Sequence, residues 1–171
     1  ELANSLAKLG HDVTILTPKL KWDGPVYNPE LNSKIKIIKI DIPSESNLKI
    51  AARRCFSNMG KKGIEVGKKN EFDFILTIFH PFHFVPRAAV SCSKKLKIPV
   101  ITKIDDAIYA KSKGLKSIQR KIEKIYNSKT LKNSTKILVS NKITKNIIND
   151  FYHVPIQNIS IIPNGVDISK Y

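Results

Sequence analysis

The chain has 171 residues, 42% of them hydrophobic and 26% charged, which suits one ordinary domain with a sizeable core and excludes a disordered polar chain. Its apolar runs, such as Ile35 to Ile42 and Ile98 to Ile101, are short or broken by polar residues, so none has the length of a membrane-spanning helix. Lys and Arg outnumber Asp and Glu by 30 to 14, a net charge of +16, yet only Arg53, Arg54, Arg87 and Arg120 are arginines; this fits a lysine-rich solvated surface or an anionic membrane better than nucleic acid, whose recognition favours arginine.

In chain order, Glu1 to Leu9 reads as the end of an amphipathic helix, with Leu2, Leu6 and Leu9 on one face and Gly10 at a left-handed C-cap. A chain that opens on Glu1 in mid-helix is expected to have its native start upstream. Val13 to Leu16 reads as a buried strand closed by Thr17-Pro18. Lys19 to Ser33, with Trp22, Gly24, Pro25 and Pro29, reads as a long loop. A strand from Ile35 to Ile42 precedes a helix capped by Ser44 or Ser46 and running towards Lys69, where Gly60, Gly63 and Gly67 predict a break. Phe72 to Phe79 is a strand, Phe82 to Leu96 a helix, and Pro99 to Ile104 a strand. Lys111 to Leu131 is a basic helix with Leu115, Ile118, Ile122, Ile125 and Tyr126 on its apolar side. Lys136 to Val139 is a strand, Ser140 caps a helix over Lys142 to Phe151, and Ile159 to Ile162 is the last strand. Short strands alternating with helices predict an α/β fold: a parallel sheet with helices on both faces.

In such sheets ligands bind beyond the carboxyl ends of the strands. Four strand ends carry polar residues: Thr17-Pro18, His80-Pro81-Phe82-His83, Asp105-Asp106 and Ser140-Asn141. His80 is placed to contact substrate or move a proton, or to serve the fold alone. A metal site is disfavoured, because His80 and His83 are only two ligands and Pro81 disturbs their spacing. Asp105 and Asp106 suit either an acid–base couple or the capping of a turn. Cys55 and Cys92 lie far apart without a CxxC spacing and read as two free buried thiols. No G-x-G-x-x-G, P-loop or G-x-S-x-G pattern occurs.

Three segments resemble family 4 glycosyltransferases, which have the two-domain GT-B fold: ELANSLAKLGHDVTILTP (1–18), the stretch 72–106 ending in KLKIPVITKIDD, and TKILVSNKITKNIINDFYHVPIQNISIIPNGVD (135–167). The last is the most specific. The resemblance implies the N-terminal Rossmann-like half of that fold with its first strand missing: residues 1–162 as the acceptor-side domain, and 163–171 as the crossing into an absent C-terminal domain that grips the donor. It implies a retaining enzyme of the hexosyltransferase kind, with no required metal and inactive as this piece alone. The enzyme would use a nucleotide-sugar donor and a saccharide or lipid-linked acceptor, in cell-surface polysaccharide or glycolipid biosynthesis. It would work in the cytoplasm, peripherally on an anionic membrane face. By position, His80 and Asp105 would be catalytic. Pro81, Phe82, Asp106, Ser140, Asn164, Gly165 and Asp167 would bind substrate.

One departure concerns the chemistry. The family often has His-Asp after the strand that here ends in Asp105-Asp106, and an ionised Asp cannot donate a hydrogen bond as imidazole does. The competing reading is a non-catalytic Rossmann-like module whose basic surface binds anionic lipid or nucleic acid. An epimerase of the same two-domain fold is a third.

Overall fold

The computed structural model describes residues 2–19, 31–41, 48–79, 84–105 and 115–165. These form two compact units, Glu1–Gly63 and Ile64–Tyr171. The class is the expected one, α/β with parallel sheets flanked by helices, and the strands divide into a two-stranded and a four-stranded ladder.

In the first unit, helix α1 (Leu2–Lys8) ends where the sequence places its stop. Gly10 takes φ +92°, a region L side chains rarely adopt. The His11 and Gly10 amides then donate back to the Leu6 and Ala7 carbonyls, both at 3.1 Å, completing a Schellman motif. Strand β1 (Thr14–Pro18) pairs in parallel with β2 (Lys36–Ile40), from Thr14 opposite Lys36 to Pro18 opposite Ile40. The ladder thus runs through Thr17-Pro18 instead of stopping there. The Lys19 amide donates to the Ile40 carbonyl at 2.8 Å, so by alternation the position of Pro18's missing N–H faces away from β2 and costs no ladder bond.

Helix α2 (Leu48–Lys69) is continuous over 22 residues, contrary to the break expected at its glycines. At Gly67 the reason is packing: a Cβ there would run into the δ-carbons of Leu96. That glycine admits a close neighbour at the usual cost in helix propensity. The proposed caps Ser44 and Ser46, and the centre of the 19–33 loop, lie outside the described residues.

In the second unit, β3 (Ile75–Ile78), β4 (Val100–Ile104), β5 (Lys136–Val139) and β6 (Ile159–Ile161) lie side by side in chain order, all parallel. They are joined by α3 (Val85–Leu96), α4 (Leu115–Lys132), and α5 (Lys142–Tyr152) followed by a 3₁₀ turn at Ile156–Asn158. One cluster unites Phe79, Ile104, Ile137, Val139 and Ile159 from the sheet side with Leu131 of α4 and Ile148 and Tyr152 of α5. A second unites Val100 with Ala89 and Val90 of α3. The three crossover helices therefore share one sheet face, as right-handed crossovers in sequential order require. Ile101, Lys103 and Asp105 alternate onto the other face. Beneath β4 and β5, the buried Thr102 and Ser134 hydroxyls pair at 2.7 Å, and the Val100 amide donates to Thr135 Oγ1 at 3.0 Å; both contacts satisfy groups that burial would otherwise penalise.

Helix α4 departs from its expected orientation. Ile125 is 67% and Tyr126 52% exposed, while Asn127, Thr130 and Leu131 are buried. Leu131, with no exposure, sets the phase; at 100° per residue Ile125 stands 120° off that direction. Tyr126 instead receives the Arg87 guanidinium, 4.6 Å from its ring centroid and 4.8 Å from that of Phe84. The side chains of 115–120, 122 and 123 are outside the described set. No helix among the described residues is long and apolar enough to cross a membrane.

Candidate functional site

Parallel strands aim their carboxyl ends, and the N-termini of the following helices, at one edge of the sheet. At that edge of the second unit a polar cluster joins three strand ends. Asp105 directly follows β4, and its carboxylate forms an ion pair with the Lys103 ammonium two residues earlier on the same face. Lys103 Nζ also donates to Asn164 Oδ1 at 3.0 Å, reaching the segment after β6. Ser140, after β5, donates from Oγ to the Asp105 carbonyl at 3.1 Å. Lys103 keeps only 20% of its side-chain surface exposed and Asp105 39%. The pair is therefore partly withdrawn from water yet open to a ligand.

Ser140 does not cap α5. The cap is Asn141, in extended backbone, whose Oδ1 accepts the Thr144 amide at 2.8 Å. Asn141 Nδ2 donates in turn to Ser140 Oγ at 3.0 Å. Both residue types cap helices. Ser140 is left free to tie β5 to β4 and to stand between the cap and Asp105.

Of the residues singled out in the sequence, Asp105, Ser140 and Asn164 are thus brought together, with Gly165 exposed beside Asn164. His80, Pro81, Phe82, Asp106 and Asp167 lie outside the described residues, as does His83. The residue that sequence reasoning missed is Lys103, which links Asp105 to Asn164. Its signal was present in the alternation Ile101-Lys103-Asp105, which puts a cation and an acid on one side of a strand flanked by buried positions.

Neither Cys55 nor Cys92 is in a disulfide and both are buried, as expected. Burial pushes both above the ordinary thiol value of 9.0, which makes them poor nucleophiles. Among the described residues no group of three or more His, Cys, Asp or Glu is placed to hold a metal ion. An open groove of about 500 Å³ is lined by Asn149, Asp150, His153, Val154 and Pro155. It lies where α5 ends and the chain turns back to β6, at the opposite edge from the strand ends.

Chemically, the strand-end cluster offers a carboxylate acceptor, an ammonium donor and an amide that does both. That set suits hydroxyl-rich or charged ligands more than apolar ones. The crystal structure of a glycosyltransferase from Rickettsia africae ESF-5 matches with a TM-score of 0.63 at 21% identity, over 98% of this chain and 38% of that one; at that identity the likeness speaks for the fold. No curated protein matches the chain. The model of Glycosyltransferase Family 4 matches residues 1–170, and the chain belongs to that family.

Proposed function

We propose that this chain is the acceptor-side half of a retaining glycosyltransferase, with residues 1–162 as its N-terminal domain and 163–171 as the crossing into a donor-binding domain. The observation that carries the reading is the Lys103–Asp105–Asn164 cluster with Ser140 at the carboxyl ends of parallel strands, where α/β sheets bind ligands. In this reading a nucleotide-sugar gives its hexose to a saccharide or lipid-linked acceptor. No resident metal is needed, and the work is done at a cytoplasmic, anionic membrane face. The chain spans 38% of the glycosyltransferase it matches in structure, so the whole protein carries the activity and the 171 residues alone are expected to be inactive.

Transfer builds positive charge on the sugar ring and negative charge on the leaving phosphate, and preorganised dipoles are worth most at such a step. Asp105 faces the developing positive charge and accepts from a sugar hydroxyl. His80 assists proton movement, and Pro81 and Phe82 line the acceptor side with Asp106. Ser140, Asn164, Gly165 and Asp167 border the crossing.

The test is to express the entire reading frame and incubate it with UDP- and GDP-hexoses and membrane lipid extracts. We expect release of nucleoside diphosphate together with a glycoside whose anomeric configuration, read by proton NMR, matches the donor's. Inverted product would remove the retaining mechanism. No transfer from any donor, with salt-sensitive binding to anionic vesicles or RNA instead, would favour a binding module.

A further inference from the structure

Lys103 occupies a position that an aliphatic residue would fill more cheaply. In register it lies between Ile78 of β3 and Leu138 of β5, and its side chain is four-fifths buried. Withdrawing an ammonium from water costs free energy that an ion pair seldom returns in full, and replacing such pairs with apolar residues is often neutral or stabilising. The fold therefore gains little from the charge itself. What the charge does accomplish is local: it holds the Asp105 carboxylate and the Asn164 carbonyl oxygen on one nitrogen at the ligand-binding edge of the sheet.

We propose that Lys103 is a substrate-contact residue and that Lys103, Asp105 and Asn164 form a subsite for a vicinal diol of a pyranose. The proposal rests on the glycosyltransferase reading above and names the part of the substrate this edge grips. An ammonium has three N–H donors. Two serve Asp105 and Asn164, and the third serves a sugar oxygen. Asp105 accepts from the neighbouring hydroxyl, so adjacent donor and acceptor match the paired oxygens of the diol. The Asn164 amide N–H₂ extends the same edge towards the crossing segment. The arrangement also supplies the donor that Asp105 alone lacks.

The experiment is NMR on the whole protein, labelled with ¹³C and ¹⁵N in lysine and asparagine, following Lys103 Cε and the Asn164 side-chain amide. The probes are methyl α-D-glucopyranoside, methyl α-D-mannopyranoside, a 2,3-dideoxy pyranoside and inorganic phosphate. We expect saturable shifts at both groups with at least one of the first two, and none with the dideoxy sugar or phosphate. Lys103→Met should weaken that binding about tenfold or more, the loss of one charge-assisted hydrogen bond. Lys103→Arg should keep most of the affinity and covers the case in which Lys103→Met fails to fold. Shifts with phosphate only, no shift with either pyranoside, or pyranoside binding undiminished in Lys103→Met would overturn the subsite. Donor turnover by the whole protein without pyranoside binding here would remove the subsite and leave the transferase reading; pyranoside binding without turnover would do the reverse.

Discussion

The two units use the same strand chemistry to different depth. In the second, Val100, Ile104, Leu131, Ile137 and Ile148 have no exposed surface, and a four-stranded ladder carries them. In the first, the described core is Ala7, Ile35, Ile40, Cys55 and Met59, none fully buried, and all five residues of β1 are only partly covered. Both ladders are parallel runs of β-branched and aliphatic residues. Among the described residues the first ladder has two strands and the second has four, and two strands alone are marginal where four with a helix layer are not. The unit that carries the strand-end cluster is therefore the better packed of the two. A rigid frame under a binding site is what holding Asp105, Ser140 and Asn164 in place requires.

The largest expected effect tests that contrast directly. Ile148→Ala should cost about 3–5 kcal/mol, since the site is sealed and a cavity remains, whereas Ile40→Ala should cost about 2 kcal/mol; urea denaturation of both variants gives the comparison. Equal costs would mean that the burial difference does not translate into stability. Next comes the cap. Asn141→Ala should lose about 1 kcal/mol and Asn141→Asp very little, while Ser140→Ala, which removes no cap, should lose less than Asn141→Ala in the same assay.

The thiols give a smaller effect. Because burial raises both thiol pKa values, the unfolded chain ionises first as pH rises. The stability from these groups is complete below about pH 9 and falls above it. Melting curves from pH 8 to 10 should show the decline, and a Cys55→Ala/Cys92→Ala double variant should flatten it. At pH 8, aromatic disulfide reagents should modify both thiols slowly, with Cys55 of the first unit ahead of Cys92; the reverse order would break the contrast between units. Smallest of all is Ile125→Asp, which should change stability by no more than about 0.5 kcal/mol at so exposed a site, as a thermal melt will register.

Much of the fold was legible because each strand of the second unit is a short apolar run bounded by turn residues, and because Gly10 fits only a left-handed cap. The misreadings have definite causes. Gly67 lowers helix propensity, but contact with Leu96 decides its role, and sequence spacing does not reveal that contact. Ser140 and Asn141 are equally good caps in one dimension, and only the hydrogen bond to Thr144 separates them. In α4 the apolar stripe through Ile125 points away from the core, which instead takes Leu131 together with the polar Asn127 and Thr130. At the site, Asp105 and Ser140 were found by their place after strands, and Asn164 through the family resemblance. Lys103 was not, because its part depends on a partner 61 positions away.

The most direct test of the central claim, that the strand ends of the second unit are the substrate site, is the sugar-transfer rate of the whole protein carrying Asp105→Ala beside the same protein carrying Ile125→Asp. We predict a loss on the order of 10²-fold for Asp105→Ala, as for a lost polar group at a reacting centre, and a rate within about twofold of the parent for the outer-face change. Equal rates in the two variants, with both folded, would contradict the account.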